Sequence, residues 1–488
     1  MLASESQILE VLRRQNTWWQ TGRIPEDFAP RFRRLAYYEI QSLMAEPDLK
    51  RAIILSGARR VGKTCLLHQV AEDAIENGLD AKRILYVTFE DPTLTQANLR
   101  EIVGLYEKNI APVGEGTLIL LDELHYTANW ARWLMTLLRE HPKVRIIATG
   151  SAAVLLRSVE QSESAAGRWV SVHVPTLSFF EYMQLRDGRI PSLPQDMSLG
   201  RLIKSDAKAR SDILGACGEL NLEFNRYLLQ GGFPAAVNMS LPLAQRLIRE
   251  DVVDKVLKRD MAHLYGARSL GELDQIFVYL CFNSGGIVEK NNLAKELGVA
   301  AATVENHLAR LEDAHLIYRL PPYSLEGKKS LKPRPKVYVA DPTLRNAVIL
   351  RGENLFENEK ELGDVIEGCV FKHLYAYYYL ERPRFGYWRD PKTGREVDFL
   401  LMFPSGGRFA FEAKYRQSPA VGAKEGLGVL LAGDKPPERS YIVTKNAADF
   451  GPVKVGGKDA FQVPATIFTF LMGHAELQRW TKGRAGKR

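Results

Sequence analysis

Eight consecutive residues, Gly57-Ala58-Arg59-Arg60-Val61-Gly62-Lys63-Thr64, fit G-x-x-x-x-G-K-[ST] at every defined position. The strand-like run AIILS precedes them and the helical run TCLLHQVAEDAIE follows. Glycines let backbone amides curl round phosphate oxygens, a lysine can reach the β and γ phosphates, and a threonine hydroxyl can hold Mg²⁺. Gly57, Ala58, Arg59, Arg60, Val61, Gly62, Lys63, Thr64 and Cys65 are therefore the expected nucleotide-binding residues, with ATP and Mg²⁺ as cofactors. Downstream, Thr117-Leu118-Ile119-Leu120-Leu121-Asp122-Glu123 reads as a buried strand ending in two carboxylates. Asp122 is expected to hold Mg²⁺ together with Thr64, and Glu123 to polarise an attacking water.

The next apolar run, Arg145 to Ser151, ends in hydroxyl residues. Thr149 or Ser151 can contact the γ-phosphate or orient the water, and Ser151 can equally cap a helix. An arginine that stabilises γ-phosphate charge, from the same or a neighbouring subunit, is expected beyond it, and Arg168 is favoured over Arg157. The expected catalytic set is Lys63, Glu123, Ser151 and Arg168.

Near the C-terminus, Arg395–Leu401 and Phe409–Lys414 alternate as strands around the turn MFPSGGR. Glu412 and Lys414 share one side of their strand because they differ by two. A hairpin brings Asp398 beside them, and Glu367 on an upstream amphipathic helix can add a further carboxylate. Oxygen ligands of this kind suit Mg²⁺ or Mn²⁺, while the lysine can position water. The neighbouring Tyr375, Tyr377, Tyr378 and Tyr379 are expected to pack rather than stack on bases.

Between these sites, Asn291–Val299 reads as a short helix ending in glycine, and Ala301–Leu316 as an amphipathic second helix. A strand pair, Ile317–Leu320 and Lys336–Ala340, is expected to follow. This order is similar to a winged helix, whose second helix can enter a major groove. Thr303, Asn306 and Arg310, with Lys328 and Lys329 in the basic loop, are the candidate DNA contacts. Glu305 on the same helix works against DNA. Lys332, Arg334 and Lys336 extend the basic loop toward phosphates. Packing against protein is the equal alternative.

The elements that position these groups divide the chain into a helical lead-in (1–30), an α/β core (31–190), a helical lid (191–268), the winged-helix segment (269–350), a C-terminal α/β module (351–475) and a basic tail (476–488). Core strands are predicted at Ala52–Ser56, Arg83–Phe89, Gly116–Leu121 and Val144–Thr149. Strands alternating with helices predict a parallel sheet covered on both faces. Trp18 and Trp19 are expected to pack. The chain has 488 residues, 45% hydrophobic and 25% charged, enough apolar material for several cores. Its net charge of +8 permits nucleic-acid binding without demonstrating it. Four separated cysteines exclude a disulfide framework or a zinc ribbon. Without an apolar run near membrane-spanning length or a secretory leader, the expected location is cytoplasmic, away from membrane.

The loop GARRVGKT, the strands LILLDEL and IIATGS, and the segments VPTLSFFEY and LLQGGFP resemble the archaeal-type AAA+ ATPase family, of the STAND-related branch, over about residues 30–265. The resemblance implies ATP hydrolysis and assembly with further copies, as in a hexameric ring, or with a protein partner. The set Glu367, Asp398 and Glu412-x-Lys414 resembles the PD-(D/E)xK nuclease family over about residues 363–450. It implies a restriction-endonuclease-like fold that either cuts or only binds. The combined expectation is ATP-driven processing of DNA, branched or recombination-related. The alternative is a nucleotide-operated switch that binds a protein partner.

Overall fold

The computed structural model describes residues 3–150, 167–186, 188–194, 196–261, 270–323, 334–417 and 422–485. The chain forms two compact units, Met1–Pro175 and Thr176–Arg488. The LSFFEY segment falls in the second of these units. Among the described residues no helix is long and apolar enough to cross a membrane.

The first unit is built on a five-stranded sheet. Its strands are β1 (Ala52–Ser56), β2 (Ile84–Thr88), β3 (Leu118–Asp122), β4 (Arg145–Thr149) and β5 (Trp169–His173). They stand in the order β2-β3-β4-β1-β5, and every pair is parallel. The runs AIILS and LILLD are buried throughout, as parallel strands covered on both faces must be. β3 starts later than the apolar pattern predicts and includes Asp122, while β5 was not anticipated. The lead-in is part of this unit. Helix α1 (Glu5–Gln15) is capped by Ser4 in a reciprocal box with Gln7. Asn16 then clasps the outer strand: its side chain donates to Tyr86 O at 2.8 Å and accepts from Tyr86 N at 2.7 Å. The indoles of Trp18 and Trp19 both donate to Ile84 O. These bonds satisfy β2 groups that an open edge would expose.

In the second unit, α3 (Phe179–Leu185) is capped by Ser178 and α4 (Leu220–Gln230) leads into Gly231-Gly232; α2 of the first unit is Lys63–Glu76. Helix α5 (Leu270–Phe282), strand β6 (Gly286–Ile287), helices α6 (Lys290–Leu297) and α7 (Ala301–Asp313), and strands β7 (Ile317–Leu320) and β8 (Lys336–Val339) follow. The three strands pair antiparallel in the order β6-β8-β7. Gly298, at φ 67°, ends α6 in the left-handed conformation that glycine tolerates. The C-terminal part packs α8 (Glu359–Tyr378) against a six-stranded mixed sheet: β9 (Arg384–Arg389), β10 (Glu396–Met402), β11 (Arg408–Lys414), β12 (Arg439–Thr444), β13 (Gly451–Val455) and β14 (Lys458–Pro464). Helix α9 (Ala465–Ala485) packs on α8.

A buried ion pair ties this unit together. Lys372 on α8 bonds to Asp341, and its ammonium also donates to Leu177 O at 2.9 Å and lies 4.9 Å from the Tyr227 ring centre. Both side chains are almost fully buried. Gly232 comes so close that a Cβ there would stand 2.3 Å from Asp341 Oδ1. Its amide donates to Thr343 Oγ1 and its carbonyl accepts from Leu177 N. The LSFFEY and GGFP segments thus meet at one buried charge pair, which explains why a side chain is excluded at Gly232.

Candidate functional site

The phosphate loop joins β1 to α2. Gly62 sits at φ 97°, open to glycine and strained for other residues. At Gly57 a Cβ would lie 2.2 Å from Val174 O, so the backbone just beyond β5 permits no side chain there. Lys63 Nζ donates to Gly57 O and Ala58 O, both at 2.9 Å, and so lies across the mouth of the loop. Arg59 pairs with Glu90 at 2.9 Å. Cys65 is partly buried, and burial raises its thiol pKa.

Thr64 Oγ1 donates to Asp122 Oδ2 at 2.9 Å, so the hydroxyl and carboxylate expected to share Mg²⁺ are neighbours. Tyr86 Oη reaches the same oxygen at 3.1 Å. Thr149 Oγ1 donates to Asp122 Oδ1 and accepts from Glu123 N at 2.9 Å. The β4 hydroxyl therefore fixes both carboxylate residues at the end of β3. Glu123 adopts φ 52°, a left-handed backbone that turns its side chain out of the sheet. Its carboxylate lies 3.2 Å from His125 Nδ1. Burial pushes the Glu123 pKa up to about 7, with Lys63 pulling it down and Asp122 pushing it up.

Two groups here escaped the sequence reading. Arg34 is buried and donates to Val61 O inside the loop and to Pro175 O at 2.7 Å. Nothing in the run Arg31-Phe32-Arg33-Arg34 distinguishes it from its neighbours. Tyr86 likewise reads as an ordinary strand aromatic. Ser151 and Arg157 lie outside the described residues. Arg168 is exposed, and its carbonyl accepts from Ala52 N at the start of β1, whereas the phosphate loop follows the end of β1. Five strand residues at about 3.3 Å each separate these ends. Arg168 therefore stands away from the nucleotide loop of its own chain, which leaves the neighbouring-subunit form of the expectation.

On α7, Asn306 is exposed, while Thr303 and Arg310 are half-buried. Glu305 pairs with Lys290 and with Arg319, each at 2.7 Å, and Arg319 also holds Glu312. Lys328, Lys329 and Lys332 lie outside the described residues. Arg334 pairs with Glu289. Lys336 is a correction. It is buried and pairs with Glu396, Glu367 and Asp398, so its charge does not face a phosphate backbone.

Glu367, Asp398, Glu412 and Lys414 do assemble. A register shift in β10 between Val397 and Leu400 re-aims Asp398. Asp398 Oδ2 accepts from Ala413 N at 2.9 Å, and Lys414 Nζ lies 2.7 Å from Glu412 Oε1. A cavity of about 410 Å³, lined by Glu367, Asp398, Lys414 and Arg416 among others, opens beside them. Burial, reinforced by Asp398, pushes Glu367 up to about 7 and Glu412 up to about 8. These groups do not fit a divalent ion. Glu412 Oε2 accepts from Asp398 N, Glu367 Oε1 accepts from Tyr338 Oη at 2.6 Å, and Lys336 bridges the rest. Among the described residues, no group of three or more His, Cys, Asp or Glu is arranged to hold a metal. Tyr375 packs against Tyr318 and Phe385, as expected.

Residues 49–183 match the family model described as an AAA domain. That match, with the parallel sheet and the loop geometry, supports a nucleotide-binding AAA+ P-loop core. Residues 221–355 and 362–464 match two domains of unknown function, DUF8612 and DUF4143. An uncharacterized protein of Haemophilus influenzae is 26% identical over 370 residues, 74% of this chain and 82% of its own. An uncharacterized protein of Methanocaldococcus jannaschii is 27% identical over 74% of each chain. Among solved structures, the Aeropyrum pernix ORC1 protein in complex with DNA aligns at 14% identity and a TM-score of 0.29, covering 64% of this chain and 91% of its own. AMPPCP-bound DnaA from Aquifex aeolicus aligns at 16% identity and a TM-score of 0.26, covering 59% and 92%.

Proposed function

We propose that the protein hydrolyses ATP and couples that hydrolysis to work on DNA. The observation that carries the first half is the bonded set Thr64–Asp122–Thr149–Glu123 beside the glycine loop. Thr64 and Asp122 would hold Mg²⁺, which supplies positive charge to the phosphates when bound. Backbone amides of the loop bind the phosphates, and Lys63 exchanges its carbonyl partners for phosphate oxygens. Thr149 sets the direction of Glu123, and ionised Glu123 takes a proton from water. Arg168 can complete the site only in the chain of a neighbouring copy, which is consistent with a homo-oligomer.

The DNA half is supported by the α6–α7 pair, the exposed Asn306 and the net charge of +8. Translocation along DNA or remodelling of it, branched forms included, suits this combination. One observation favours the second reading, a switch that docks a protein. Glu305 and Glu312 on α7 are neutralised by Lys290 and by Arg319 of β7, so the charges along that side of the helix are spent on protein contacts.

The deciding measurement is ATP hydrolysis without DNA and with duplex, single strand or four-way junction. Stimulation by one form is expected, and equal rates in all four support the protein-docking switch. DNA affinity should also fall with salt, with a slope of about −0.9 per phosphate contact in log K against log salt. A flat response removes DNA as the substrate.

A further inference from the structure

We infer that the C-terminal carboxylate cluster is closed to divalent metal by a lysine of its own chain, so that it joins elements rather than cuts nucleic acid. Lys336, the first residue of β8, places Nζ 2.6 Å from Glu396 Oε1, 3.1 Å from Glu367 Oε1 and 3.5 Å from Asp398 Oδ1. The three carboxylates come from α8 and β10, and they converge on one ammonium. The Tyr387 ring on β9 lies 5.7 Å from that ammonium and covers another side. Tyr338, two residues on and on the same face of β8, donates to Glu367 Oε1 at 2.6 Å. One strand therefore supplies both the charge and the hydroxyl that occupy Glu367.

Burial opposes a charged lysine, but Glu367, Asp398 and Glu396 outweigh it and raise its pKa, so the ammonium stays charged. It does electrostatically what a divalent ion would do there. Unlike an ion, it is tethered to β8 and cannot diffuse away. A metal can enter only if β8 withdraws its lysine, and β8 is the central strand of its three-stranded sheet. The cluster thus ties the β6-β8-β7 sheet to α8 and β10. This inference is independent of the ATPase reading.

The test uses the full chain and Mn²⁺ as the probe, read by thermal melting and by cutting of plasmid DNA. Wild type is expected to melt at the same temperature with millimolar Mn²⁺ as with EDTA, and to leave the plasmid intact. Lys336→Met should melt several degrees lower, and Mn²⁺ should restore part of that loss, because an ion that binds only the folded state stabilises it by mass action. Lys336→Arg should resemble wild type and ignore Mn²⁺. If Lys336→Met folds only with the ion, recovery of soluble protein with and without Mn²⁺ reads the same rescue. Three results overturn the inference: Mn²⁺ stabilising wild type in a way that Asp398→Asn abolishes, Mn²⁺-dependent cutting by wild type that Asp398→Asn abolishes, or a Lys336→Met variant that Mn²⁺ leaves unchanged.

Discussion

Glu123→Gln should lower ATP turnover by about 10²–10⁴-fold, the range that a positioned general base contributes. ATP binding should stay within a few-fold of the parent, because the loop, Lys63 and Thr64 are untouched. Glutamine is nearly isosteric and accepts the same left-handed backbone at φ 52°, so the Thr149 bond to its amide should survive. Steady-state hydrolysis and nucleotide titration together check this. The pH profile gives a second reading of the same group. A base must be ionised to act, and burial pushes the Glu123 pKa up to about 7. Turnover of the parent should therefore fall as pH drops through about 7, approaching tenfold per unit below it. The residual rate of Glu123→Gln should lack that limb. A variant with parental turnover would move the base elsewhere.

Lys372→Met should cost about 3–5 kcal/mol, because removing one partner of a buried ion pair leaves the other charge uncompensated. Asp341 is the group left behind; burial would raise its pKa, but Lys372, Thr176 and Thr343 hold it below the usual range. A urea titration should show the second unit melting at a clearly lower midpoint. Lys372→Met combined with Asp341→Asn should recover part of the loss, since asparagine removes the uncompensated charge and keeps an acceptor for the Thr343 amide. Equal midpoints for wild type and Lys372→Met would show that the pair contributes little.

The nucleotide site was legible because its constraints are local. Gly57, Gly62, Lys63 and Thr64 occupy one turn of chain, and Asp122-Glu123 end a strand whose apolar run announces it. Partners far along the chain left no such mark. Asn16 and Tyr86 are 70 residues apart, and Arg34 and Val61 are 27 apart. The position of Arg168 depended on β5, whose half-exposed residues lack the apolar run that marked the other four strands. Lys336 misled for a related reason. A lysine beside a basic loop reads as solvated, and only the pairing of β8 between β6 and β7 carries it inward to the carboxylates. The four residues of the C-terminal set lie together at the junction of α8, β10 and β11. Their chemistry was not legible, because it depends on a strand about 30 residues upstream of the first of them.

The Asp341–Lys372 pair also bears on how the polypeptide can be divided. It straddles the gap between the two domains of unknown function, which end at residue 355 and begin at residue 362. A chain cut in that gap separates the aspartate from the lysine, and each fragment then carries a desolvated charge with no counterpart. On a ribosome, the carboxylate at 341 and the carbonyl of Leu177 must wait until position 372 has emerged before they gain their shared cation. A fragment bounded at either family limit is therefore expected to fold less stably than one that runs from Leu177 through Lys372.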